Sequence, residues 1–190
     1  MPPHFAISEA MVALASIWTG VVLFRRNQPL AAAGVAMFGL AAAVGTVRFS
    51  AGLVEPLAQA HRLMSQTGGL VGFLLLLLAL APTAGLKARP WVGALALVAL
   101  LGLTASLPFT GPIVAVGALV AGAVCLAMTP GRPSERLVAA AAYGLMLPDI
   151  LLVRNAAWLD PSVRWHLYHA LIALWLLMLP LWFSRRARRL

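Results

Sequence analysis

Apolar residues in this chain gather into long runs separated by short clusters of charged and helix-stopping residues. A hydrocarbon core about 30 Å thick takes roughly 20 helical residues to cross. Seven runs near that length can be marked off, at Phe5 to Phe24, Leu30 to Val47, Pro56 to Leu80, Trp91 to Leu107, Ile113 to Met128, Leu137 to Leu159 and Val163 to Phe183. Four of the six breaks between them are Arg25-Arg26-Asn27-Gln28-Pro29, Pro82-Thr83 with Lys87-Ala88-Arg89-Pro90, Phe109-Thr110-Gly111-Pro112, and Thr129-Pro130-Gly131-Arg132-Pro133. Each combines charge or small polar residues with prolines and glycines that end helices. The pattern predicts an all-α, polytopic membrane bundle of about seven helices, built as one integral membrane domain over residues 1–190. The first run is the weakest because it contains Glu9, and six spans remain if it lies in the interface.

Composition supports lipid as the solvent. Of 190 residues, 62% are apolar and 10% charged, against about 25% charged in a typical soluble domain. A soluble fold of this size would leave much of that apolar surface in water. The net charge of +9 is carried by fourteen Lys and Arg in loop clusters, so it reads as a topology signal, and no nucleic-acid partner is expected. Alternate loops hold ten basic residues (Arg25, Arg26, Lys87, Arg89, Arg132, Arg136, Arg185, Arg186, Arg188, Arg189) against four (Arg48, Arg62, Arg154, Arg164). Lys and Arg are retained on the cytoplasmic side. The amino terminus is therefore expected outside and the carboxyl terminus inside a bacterial-type inner membrane, with the last Arg cluster resting on anionic lipid headgroups. No basic stretch precedes the first run and no clear cleavage site follows it, so that run is expected to be retained. Cys125 falls inside an apolar run and is expected to be a packing residue.

This orientation sends the polar chemistry to one side. All four histidines (His4, His61, His166, His169) and four of five acids (Glu9, Glu55, Asp149, Asp160) fall toward the outside, with Glu135 inside. Ionisable residues at depth cost roughly 3 kcal/mol each and persist where they face a bundle interior or a watered cavity. His61 and Arg62 could instead snorkel to the headgroups. Asp149, about 15 Å below the expected end of its helix, is too short to do so, though pairing with Arg154 or Arg48 would make it a structural lock.

Trp165-His166-Leu167-Tyr168-His169 places two imidazoles three residues apart on one helical face. They could share a metal, with His61 at similar depth as third ligand and a fourth position open, as catalytic zinc requires. Asp149 could then orient or deprotonate a zinc-bound water, and Ser65, one turn below His61, could donate to a substrate oxyanion. The bland alternative is an interfacial aromatic belt opening the last helix.

His166-Leu167-Tyr168-His169-Ala170-Leu171 resembles the late paired-histidine motif of the superfamily joining alkaline ceramidases, adiponectin and progestin receptors and bacterial haemolysin-III proteins. Ala60-His61 followed by Gly68 and Gly69 resembles its early motif. The resemblance covers the architecture and these two short motifs. The family's late histidines are usually four residues apart, its early histidine ends the second helix, and its aspartate comes earlier than Asp149. The resemblance implies a zinc-dependent hydrolase acting on a lipid-like amide or ester from a periplasm-facing pocket, with membrane lipids as its surroundings. Two other classes remain: a haem-binding electron-transfer protein with His61 and His169 as axial ligands, and a small-molecule or ion transporter or binding protein in which Arg48, Asp149 and the histidines bind an ion or relay protons. A retinal protein is not expected, because the single lysine, Lys87, falls in a loop.

Overall fold

The computed structural model describes residues 3–84 and 110–184. The expected span Trp91 to Leu107, Lys87, Arg89 and the Arg185 to Arg189 cluster lie outside the described residues. Among those described there is no strand, and six helices are long and apolar enough to cross a membrane. They are α1 (Phe5–Arg25), α2 (Pro29–Ser50), α3 (Ala58–Leu80), α4 (Thr110–Met128), α5 (Pro133–Val153) and α6 (Pro161–Ser184). Prolines at the first helical position open α2, α5 and α6, where no amide donor is missed. Asp160 caps α6 by accepting from the Ser162 and Val163 amides at 2.8 and 3.3 Å. The α1–α2 turn closes through Asn27 at φ 56°, a left-handed conformation that asparagine tolerates well.

Two spans are irregular. Met64–Gly68 in α3 and Asp149–Val153 in α5 are π-helical. Pro148 supplies no amide to the helical ladder, and the π-helical stretch follows it directly. The helix then ends at Val153, with Asn155 Nδ2 donating to the Ile150 and Leu151 carbonyls at 3.2 Å each. The expected continuation to Leu159 is corrected accordingly. Asp149 lies about one turn from the end of α5, roughly 6 Å at 1.5 Å per residue, not 15 Å.

Close approach of backbones sets the helix order. A Cβ on Gly34 of α2 would meet the Gly72 carbonyl of α3 at 2.9 Å, so these two helices touch through their glycines. α1 and α6 run parallel. Their first turns meet through Ser8 and His166, and their last turns through Arg26 Nη1, which donates to the Pro180 carbonyl at 2.7 Å. We refer below to the Glu9 end and the Arg26 end. α3 starts at the Glu9 end, where His61 lies, and Leu80 closes it toward the Arg26 end. α5 runs antiparallel to α6: Tyr143 packs on Trp175 and Trp182, whereas Asp149 shares a cavity with Leu171. The core between the helices is built from Leu, Ala and aromatic residues including Phe38, Phe73, Tyr143 and Trp175, with Cys125 among them as a packing residue.

Pro180 inside α6 leaves the Leu176 carbonyl without its helical donor. Thr19 of α1, fully buried, donates its hydroxyl to that carbonyl at 3.0 Å. In an apolar surrounding, where water cannot substitute, this is what makes the proline tolerable. Thr19→Val keeps shape but orphans the carbonyl and is expected to cost about 1–3 kcal/mol. Thr46→Val removes only a hydroxyl bond to a carbonyl of its own helix and is expected to cost less. Denaturation of both variants in detergent checks the difference, and equal costs would show that Thr19 is not needed there.

Candidate functional site

The buried polar residues at the Glu9 end come from three helices. Glu9 on α1 is 2% exposed, and it is met by His61, one turn inside α3, and His169, two turns inside α6. Its Oε1 is 3.1 Å from His61 Nε2 and 3.4 Å from His169 Nε2. Neither approach is aligned as a hydrogen bond, so both are close electrostatic contacts. α2 contributes thinness: a Cβ on Gly45 would lie 2.5 Å from the Glu9 carboxyl carbon. The carboxylate occupies a space that only glycine leaves.

The other nitrogen of each imidazole determines what the pair can be. Arg48 Nη1 lies 3.3 Å from His61 Nδ1, while its Nε donates to the Val54 carbonyl at 2.8 Å and its guanidinium stands 5.1 Å over the Phe49 ring. A guanidinium only donates, so His61 Nδ1 accepts and His61 carries its proton on Nε2, toward Glu9. On the other ring, His169 Nδ1 is 2.7 Å from the Trp165 carbonyl. A carbonyl only accepts, so His169 Nδ1 carries a proton. A neutral His169 would then set an Nε2 lone pair against the Glu9 carboxylate. A proton bound at either atom would remove that repulsion.

Aromatic rings cover this group. Phe5 and Phe49 stand edge to face at 5.8 Å, Trp165 packs on both at 5.1 and 5.6 Å, and Trp165 lies 4.5 Å from the His169 ring. Such a cover excludes water, which strengthens charge interactions beneath it.

Of the residues expected at a site, His61 and His169 are brought together, through Glu9. His166 belongs to a neighbouring contact: Ser8 Oγ donates to the Phe5 carbonyl at 3.1 Å, leaving its oxygen to accept from His166 Nδ1 at 3.1 Å, and the His4 ring lies 5.1 Å away. Ser65 lies in the π-helical stretch of α3 and is exposed. Asp149 is 1% exposed, and neither of its oxygens has a hydrogen-bond partner among the described residues. It does not pair with Arg154 or Arg48 as a lock: Arg154 is joined to it only through a backbone amide that donates to the Asp149 carbonyl at 2.9 Å. In the sequence Glu9 was legible as a weakness of the first span and as one of the acids on the outer side; its partnership with the two histidines appears when α1 is packed.

For a zinc ion, His61 would have to offer an Nε2 lone pair, which its contact with Arg48 opposes. No group of three or more His, Cys, Asp or Glu among the described residues is arranged to hold a metal ion. A haem ring with His61 and His169 as axial ligands would need the space that the Glu9 carboxylate fills. The haem does not fit this arrangement of side chains, and a zinc ion would require the His61 proton to move to Nδ1, against Arg48.

No family model, no curated protein and no solved structure matches this chain. The site is therefore read from its own geometry.

Gly45→Ala is expected to displace the carboxylate and to destabilise the protein by about 1–3 kcal/mol, the usual cost of overpacking. In a Glu9→Ala background the same substitution should cost little, because the obstructing group is gone. A double-mutant cycle of unfolding free energies in detergent measures this. Additive effects would show that Gly45 and Glu9 do not share the space.

Proposed function

We propose that this chain is a multi-pass membrane protein of the transporter class that takes up and releases a proton at the Glu9–His169 pair. The observation that carries the reading is that Arg48 and the Trp165 carbonyl occupy the Nδ1 atoms of the two rings, so that both Nε2 atoms face the one buried carboxylate oxygen. Intramembrane ionisable residues that face one another inside a bundle commonly mark proton or ion pathways. Two π-helical stretches, one on the span that carries His61 and one beginning at Asp149, favour the same reading, since such interruptions concentrate at functional sites.

The orientation belongs to this proposal. Arg25, Arg26, Arg132 and Arg136 lie at or near helix ends on the Arg26 side, and Arg48, Arg62, Arg154 and Arg164 toward the Glu9 side. Counting the whole chain, the ten-to-four bias puts the Arg26 end in the cytoplasm of an inner-membrane-type bilayer and the proton site in its outer half. A reporter fused after Leu190 should be active in the cytoplasm and one before Met1 in the periplasm. Both termini on the same side would remove the seven-span reading.

The zinc hydrolase of lipid-like amides or esters is the second reading. It is favoured by the contact distances themselves, because 3.1 and 3.4 Å match the spacing between neighbouring ligands of a tetrahedral ion with bonds of about 2.0–2.1 Å. Nitrogen-15 NMR of the histidine side chains in bilayers, with metal analysis of the same sample, separates the two. The proton reading expects His61 protonated on Nε2 alone and His169 on both nitrogens, the second proton being lost in Glu9→Gln. In liposomes holding a pH dye, Glu9→Gln should also abolish proton entry driven by a membrane potential. One bound zinc per chain that disappears in His169→Ala would overturn the proton reading in favour of the hydrolase.

A further inference from the structure

The second buried carboxylate has a different setting from the first. Asp149 is 1% exposed, both its oxygens lack a partner among the described residues, and it forms one wall of a cavity of about 140 Å³ between α5 and α6. The remaining wall is apolar, with Met146, Leu171 and Trp175 inside and Leu145 and Leu174 at the rim. Leu145 and Leu174 are 55% and 54% exposed. On a helix that crosses a membrane such residues face hydrocarbon, so the cavity opens sideways to the bilayer. No side chain among the described residues forms an ion pair with Asp149.

We infer that this cavity is a lateral binding site for an amphiphilic amine, whose ammonium group pairs with Asp149 while its alkyl chain leaves between Leu145 and Leu174. Three features select that class. A buried carboxylate with two free oxygens calls for a donor that brings several N–H groups and a compensating charge, as an ammonium does. The volume suits a short head segment, since a cavity of roughly 150 Å³ admits a benzene-sized guest. The apolar wall and the leucine rim admit a chain arriving from lipid and give a polar solute nothing to bind. The carboxylate sits at the start of the π-helical stretch after Pro148, an irregularity of the kind that concentrates at functional sites. This site is separate from the Glu9–His169 pair and does not depend on that reading.

The test uses the full chain in nanodiscs of neutral lipid, with n-octylamine, n-octanol and octanoate as probes and the thermal midpoint as readout, because a ligand that binds the folded state raises it. Octylamine should stabilise the wild type at concentrations about ten-fold lower than octanol, and octanoate should have no effect. Asp149→Asn should erase the preference for amine over alcohol, whereas Glu55→Gln, an exposed acid on the same side, should keep it. Leu171→Trp leaves the carboxylate and fills the cavity, and should abolish the octylamine effect, which covers the case in which Asp149→Asn fails to fold. Equal response to amine and alcohol, a preference for octanoate, no response to any probe, or an amine response unchanged in Asp149→Asn and Leu171→Trp would each overturn the proposal, the third meaning that the cavity holds only water.

Discussion

A carboxylate held 2% exposed inside an apolar bundle is the constraint around which the Glu9 end of this protein is organised. Moving such a group out of water costs several kcal/mol even after relaxation, so it persists only where opposite charge or donors meet it. Glu9 finds two imidazoles on two other helices, and that requirement draws α1, α3 and α6 to a common point. The fourth helix, α2, yields space through Gly45. Arg48 and the Trp165 carbonyl then orient the rings, and Phe5, Phe49 and Trp165 keep the group dry. Removing any one partner would leave the others with unmatched buried polarity, so the group acts as a unit.

The opposite half of the bundle meets the same shortage of water by a different route. There the exposed demand is backbone: Pro180 frees a carbonyl of its own helix, and Thr19 of α1 answers it, while Arg26 donates to the Pro180 carbonyl one turn on. α1 and α6 are therefore tied near both ends by polar contacts. Between α1, α2 and α3, contact is made mainly by small and apolar side chains, and glycines allow the backbones to approach. Directional bonds set register where they occur, and packing supplies the bulk of the contact, as expected where lipid removes much of the hydrophobic drive between helices.

The two buried carboxylates show what burial does when the surroundings differ. Glu9 is matched by side chains from two helices and is covered by rings. Asp149, beside an apolar cavity and with no partner among the described residues, has no internal match. The first arrangement suits a group that must hold and pass on a proton in place. An unmatched acid at an opening toward lipid suits a ligand that arrives with its own charge.

The membrane character, the helix-breaking clusters and most helix limits were legible in the residues themselves, because the length of an apolar run and the chemistry of Pro, Gly and Arg act locally. α1 and α2 end within three residues of the expected limits, and the concentration of histidine and acid toward one end follows directly from helix direction. What the sequence could not show was partnership. Glu9 looked like a flaw in the first span, yet it is the shared contact of His61 and His169. His166, three residues from His169 on the same helix, faces Ser8 instead. Asp149 looked deep because the end of α5 was expected six residues later than Val153. Each of these outcomes depends on how helices distant in sequence rotate and pack against one another, and a one-dimensional pattern carries no record of that rotation.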